Sequence, residues 1–124
     1  MAKERKFDLE DRLIEFASRC IKASESLPAS RAGIHLSDQL VRSGTSPALN
    51  YGEAQGAESA KDFVHKMKIC LKELRETMVC LKIIVKAELI KTEKAELLIK
   101  EVDELVAIFV TSVKTAKERN KGIS

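Results

Sequence analysis

Arg42-Ser43-Gly44-Thr45-Ser46-Pro47-Ala48-Leu49-Asn50-Tyr51-Gly52-Glu53-Ala54 is the stretch on which the fold turns. From Ser43 to Gly52 it holds no Lys, Arg, Asp or Glu, although 33% of the chain is charged. Read as a break, it splits a helix in two and offers a loop of hydroxyls. Read as helix, it continues the spacing of Ile34, Leu36, Leu40 and Val41 into Ala48 and Leu49, all six taken as inward positions. No Asn-Gly, Pro-Gly or charged loop interrupts it, so the helical reading is taken, from a Ser30 cap to about Ala57. Pro47 lacks an N–H and clashes one turn back, which predicts a kink between Gly44 and Pro47 with the Thr45 and Ser46 hydroxyls satisfying freed carbonyls. Because the block carries no charge, it is expected to face neighbouring protein over most of its circumference.

Working outward, the same periodicity yields three more helices. The first runs from an Asp8 cap through Leu9, Leu13, Phe16, Ala17, Cys20 and Ile21 to about Glu25, and Ser26-Leu27-Pro28-Ala29 ends it. The third opens at Ser59-Ala60-Lys61-Asp62, a capping-box-like start, and carries Phe63, Met67, Cys70, Leu74, Leu81 and Val85 to about Ala87 or Leu89. The fourth is capped by Thr92 and buries Leu98, Val102, Leu105, Phe109, Ser112, Val113 and Ala116. Long helices with short connections predict an all-α, antiparallel up-down-up-down four-helix bundle, its second helix kinked near Pro47. The expected organisation is a flexible N-terminus at 1–7, the bundle at 8–117 and a frayed tail at 118–124.

Composition excludes several alternatives. A chain of 124 residues fits one domain, and four Phe, one Tyr and no Trp leave little for a β-sandwich core or a base-stacking platform. Cys20, Cys70 and Cys80 are odd in number and form no C-x-x-C pair, against both a disulfide framework and a structural zinc site. A reducing cytoplasm is the expected compartment, and no apolar run approaches the length of a membrane span or a signal h-region.

No catalytic constellation emerges. His35 and His65 lie on different helices and lack the i+3 or i+4 partners that ligate metals, apart from His35 with Asp38 and Gln39. A di-metal bundle site needs Glu-x-x-His on two helices, and the chain contains none. The hydroxyls of Ser43, Thr45 and Ser46 have no base or oxyanion loop nearby in sequence, and Gly44, Gly52 and Gly56 do not form a phosphate loop. No enzyme activity, metal or cofactor is expected.

The third helix carries a different signal. Lys61, His65, Lys68, Lys72, Arg75, Lys82 and Lys86 are spaced so that all seven fall within an arc of about 100°, with Val79 interrupting the row and no acid inside it. Asp62, Glu73 and Glu76 project elsewhere together with Lys66. Such a stripe, about 37 Å long at 1.5 Å per residue, can follow a phosphate backbone or present cations to an acidic protein. Net charge is only +3, so the recognition rests on local arrangement. Contacts would be mainly to phosphates, with weak sequence preference and strong salt dependence.

Several of these residues also resemble a known family: Asp8-Leu9-Glu10-Asp11-Arg12-Leu13, Leu27-Pro28-Ala29-Ser30-Arg31-Ala32-Gly33, Gln39-Leu40-Val41-Arg42-Ser43-Gly44-Thr45-Ser46, Asn50-Tyr51-Gly52-Glu53-Ala54 and Asp62-Phe63-Val64-His65-Lys66-Met67-Lys68-Ile69. Together they are similar to the small four-helix-bundle proteins encoded in intervening sequences of bacterial 23S ribosomal RNA genes, also called the S23 ribosomal protein family. The resemblance covers most of residues 7–115. It implies a homopentameric ring of antiparallel bundles, and a likeness to the accessory variability protein of diversity-generating retroelements, a basic pentamer that works with a reverse transcriptase and RNA. A self-associating chain, RNA or DNA, and a nucleic-acid enzyme are thus the expected partners. Arg42, Ser43, Asn50 and Glu53 match the family signature and are expected to be structural. Ser46-Pro47-Ala48-Leu49-Asn50 departs from the commoner pattern, in which a β-branched residue, Gly and Ala precede the Asn.

Overall fold

A computed structural model describes residues 8–123, with side chains over 8–121. The expected flexible N-terminus at 1–7 lies outside the described residues. Four helices follow in chain order: α1 Leu9–Glu25, α2 Arg31–Gln55, α3 Ala60–Lys86 and α4 Thr92–Ile123. Three starts are fixed by side-chain caps, each oxygen accepting an N–H that the first turn leaves unpartnered. Asp8 accepts from Asp11, Ser30 from Gly33 and Ser59 from Asp62. Thr92 stands at the first helical position of α4, and that helix continues past Lys117.

The segment from Arg42 to Ala54 is helix throughout, and α2 passes Pro47 as one element. Its hydroxyls bond carbonyls one turn back: Ser43 Oγ donates to Gln39 O (2.9 Å) and Thr45 Oγ1 to Val41 O (2.7 Å). The Ser46 hydroxyl differs from expectation, accepting from Asn50 Nδ2 (2.9 Å). Pro47 O accepts from the Cys70 thiol of α3 at 3.5 Å.

Neighbouring helices run in opposite directions. Ser37 of α2 donates to Ser24 O of α1, while Gly44 lies against Cys20. Between α2 and α3 the contacts descend one helix as they climb the other: Leu36 with Cys80, Pro47 with Cys70, Glu53 with Lys66. Helix α1 packs on α2, α2 on α3 and α3 on α4, with a thinner α1–α4 seam closing the ring.

The core between them is built from Leu13, Phe16, Cys20, Leu40, Leu74, Leu81, Ile84, Val102, Leu105 and Phe109, each with 1% or less of its surface exposed. Burying such a side chain contributes about 1.5–3 kcal/mol. Tyr51 closes one end, its ring edge-on to Phe109 at 6.1 Å. Helix α2 supplies the least bulk, presenting Gly33, Ser43, Gly44, Pro47 and Ala54 inward. At Gly44 the reason is steric: a Cβ there would stand 2.7 Å from the Cys20 sulfur, so α1 and α2 approach at the distance only glycine allows.

Three apolar positions read as inward face outward instead. Ile21, Ile34 and Leu49 are 40%, 55% and 67% exposed. The inward arc of α2 is narrow because its neighbours come close, and Ile34 and Leu49 lie on the far side of it. The uncharged block therefore contacts protein on one face and leaves Leu49 and Gly52 on the surface. The turn after α3 also differs: the helix stops at Lys86, and Glu88 takes a left-handed conformation at φ 58° that lets Leu89 N–H reach Ile84 O.

Candidate nucleic-acid interface

All seven positions of the basic row, Lys61, His65, Lys68, Lys72, Arg75, Lys82 and Lys86, are exposed in the folded chain. They lie opposite the buried face formed by Val64, Met67, Cys70, Leu74, Thr77, Leu81 and Ile84. The heptad-like spacing of the core residues therefore fixes where the cations point. Among the described residues none of the seven is ion-paired, so the six Lys and Arg side chains keep their charges available to a ligand.

What keeps the row unneutralised is the disposition of the acids on the same helix. Glu73 and Glu76 turn toward α2, where Arg42 donates Nη1 to Glu73 Oε1 (3.3 Å) and Nη2 to Glu76 Oε2. Gln39 Nε2 donates to the same Glu76 oxygen at 3.2 Å. In the second turn of α3, Lys66 Nζ donates to Glu53 Oε1 at 2.6 Å, and that carboxylate holds the Lys66 amine above its usual range. The α2–α3 seam thus captures two acids of α3 together with its one off-row lysine near the N-terminal end. Two apolar side chains interrupt the row, Val79 (56% exposed) and Ile83 (48% exposed), between Arg75 and Lys86.

The four signature residues are placed differently from one another. Arg42 and Glu53 bridge α2 to α3, as just described. Ser43 is buried and bonds within α2, and Asn50 donates to Ser46 O (3.0 Å) and Ser46 Oγ, also within α2. Sequence reasoning missed the Arg42 bridge to Glu73 and Glu76, although their i, i+3 spacing marks one helix face. It also missed Arg12, whose guanidinium donates to both oxygens of Glu101 (2.7 and 2.9 Å) and to Glu104 (2.5 Å) across the α1–α4 seam.

The cysteines supply no nucleophile. All three are free and buried, and burial pushes the Cys20 and Cys70 thiols up to about 12, with Cys80 raised for the same reason. Among the described residues no group of three or more His, Cys, Asp or Glu could hold a metal ion. None of the described helices is long and apolar enough to cross a membrane.

Comparison with known proteins agrees with this architecture. The family model described as 23S rRNA-intervening sequence protein matches residues 5–111. A solved structure from Bacteroides thetaiotaomicron VPI-5482, described as a protein with unknown function from the S23 ribosomal protein family, superposes with a TM-score of 0.80. It is 32% identical, over 86% of this chain and 99% of that one. No curated relative matches. With a matching family model across most of its length and the same bundle in a solved relative, this chain belongs to the 23S rRNA-intervening sequence protein family.

Proposed function

We propose that this chain is a non-catalytic, self-associating bundle that binds RNA or DNA through phosphate contacts along α3. The observation that carries the reading is the row of six exposed, unpaired Lys and Arg side chains with His65 on one helix face, and Glu73 and Glu76 held away by Arg42. A helix of this length spans several phosphates, and counterion release then drives association. No aromatic side chain lies in the row, so binding reads backbone charge and shape, with little base preference.

Self-association is supported by exposed apolar side chains on two packed helices, Ile34 and Leu49 on α2 and Ile14 and Ile21 on α1. The expected count of five rests on the resemblance to the family, and light scattering measures it. A cytoplasmic location fits three unpaired thiols, and a nucleic-acid enzyme is the proposed companion. Fluorescence anisotropy with a labelled RNA hairpin and a DNA duplex at about 50 mM salt tests the reading: saturable binding supports it, and none at that salt sinks it.

A second reading has its own observation. Val79 and Ile83 place apolar surface inside the row, which suits an acidic protein partner better than a phosphate backbone. Replacing both by Gln separates the two: nucleic-acid affinity would hold, whereas affinity for a protein bound there would fall.

A further inference from the structure

The α1–α4 seam contains a repeated arrangement that is completed at one level and left open at the next. At the first level Arg12 of α1 is clamped by Glu101 and Glu104 of α4. One heptad further along α1 stands Arg19. Because α4 runs the other way, the residues facing Arg19 come one heptad earlier in α4, and these are Lys94 and Leu97 in place of the two glutamates. The result is a groove of about 230 Å³ lined by Arg19, Lys22 and Lys94 over a floor of Ala23, Leu97 and Leu98. No acid lines it, and among the described residues none of its three cations is ion-paired. Glu15 and Glu25, the flanking acids of α1, are exposed and lie outside the lining. Leu97 is 61% exposed, a large apolar surface set among cations.

We propose that this groove docks an acidic helical segment of a protein partner, one that presents two carboxylates three residues apart beside a leucine-sized apolar side chain. The chain itself displays the complement at the neighbouring level: Glu101 and Glu104, three apart on a helix, take Arg12 in a bidentate and a single contact. Supplied in trans, the same pair meets Arg19 and Lys94, and the apolar side chain covers Leu97. Charge and shape together select this occupant: three cations over an apolar floor match acids carried on an amphipathic helix. The site is distinct from the α3 row, since none of its lining residues belongs to α3. It does not depend on nucleic-acid binding.

The probe is a short, labelled, helix-stapled peptide with two glutamates three apart flanked by leucines, beside an isomer with the glutamates two apart. The full chain is expected to bind the first about tenfold more tightly than the isomer, and Arg19→Glu with Lys94→Glu to weaken it by about tenfold or more. Lys68→Glu with Lys72→Glu is expected to leave it within about twofold. Lys94→Glu with Leu97→Glu rebuilds the Arg12 arrangement around Arg19, so it is expected to raise the melting temperature by about 1–4 °C while abolishing peptide binding. The proposal is overturned by equal binding of the isomer, by affinity unchanged in either groove variant, or by a melting temperature that fails to rise in the second. It is equally overturned if the peptide is lost only with the α3 substitutions, or if Arg19→Glu with Lys94→Glu reduces RNA-hairpin binding as much as those do.

Discussion

Arg42 Nη1 lies 3.3 Å from Glu73 Oε1 and its other terminal nitrogen meets Glu76, so a single guanidinium on α2 holds two acids of α3 away from the basic row. Arg42 is half exposed, which limits what the bridge adds to stability to about 1 kcal/mol or less. Its larger effect is electrostatic. Arg42→Gln is expected to lower affinity for a nucleic-acid duplex about three- to tenfold at low salt without altering any residue of the row. Arg42→Lys recovers the charge but not the fork, and an intermediate affinity in anisotropy titrations is the expected outcome.

Two glycines of one helix are expected to respond in opposite directions. Gly44 faces Cys20 so closely that a Cβ meets both its sulfur (2.7 Å) and its Cβ (2.8 Å). Gly44→Ala therefore pushes α1 from α2, and overpacking of about 1–3 kcal/mol outweighs the helix-propensity gain of about 1 kcal/mol. Gly52 has nothing within 4 Å of its missing Cβ, so Gly52→Ala keeps the gain and is expected to stabilise by about 0.5–1 kcal/mol. Urea melts of the two variants check the sign of each.

The buried thiols give a pH dependence. Cys20 and Cys70 rise from 9.0 to about 12 on burial, so above about pH 9 the unfolded chain releases protons that the folded chain retains. Stability is expected to be level below that point and to decline as pH climbs toward 12. At pH 8 the folded thiolate fraction at these two sites is on the order of one in ten thousand, so a thiol reagent should label neither until denaturant is added.

Much of the fold was legible because helix starts are local chemistry. Asp8, Ser30 and Ser59 were readable as caps and each accepts the N–H expected of it. The basic row was legible for a similar reason, since angular position on a helix follows from spacing alone. The rest depends on how helices are rotated against each other. Spacing alone does not say that α2 turns its small residues inward, which is why it places Ile34 and Leu49 in the core although they lie on the surface. The Arg42 bridge and the Arg12 clamp each join residues distant in sequence, and the i, i+3 spacing of the acids marks a helix face without naming the arginine that meets it. Glu88 escaped for another reason: a left-handed turn without glycine carries no compositional mark.

Salt dependence tests the central claim most directly. The affinity of the intact chain for a DNA duplex, measured by anisotropy between about 50 and 200 mM salt, should fall steeply, the logarithm of the binding constant dropping with a slope of about −0.9 per phosphate engaged. In Lys68→Glu with Lys72→Glu the slope should become shallower by about two, while the melting temperature stays near that of the parent chain. A slope near zero, or one unchanged by these two substitutions, would contradict the account.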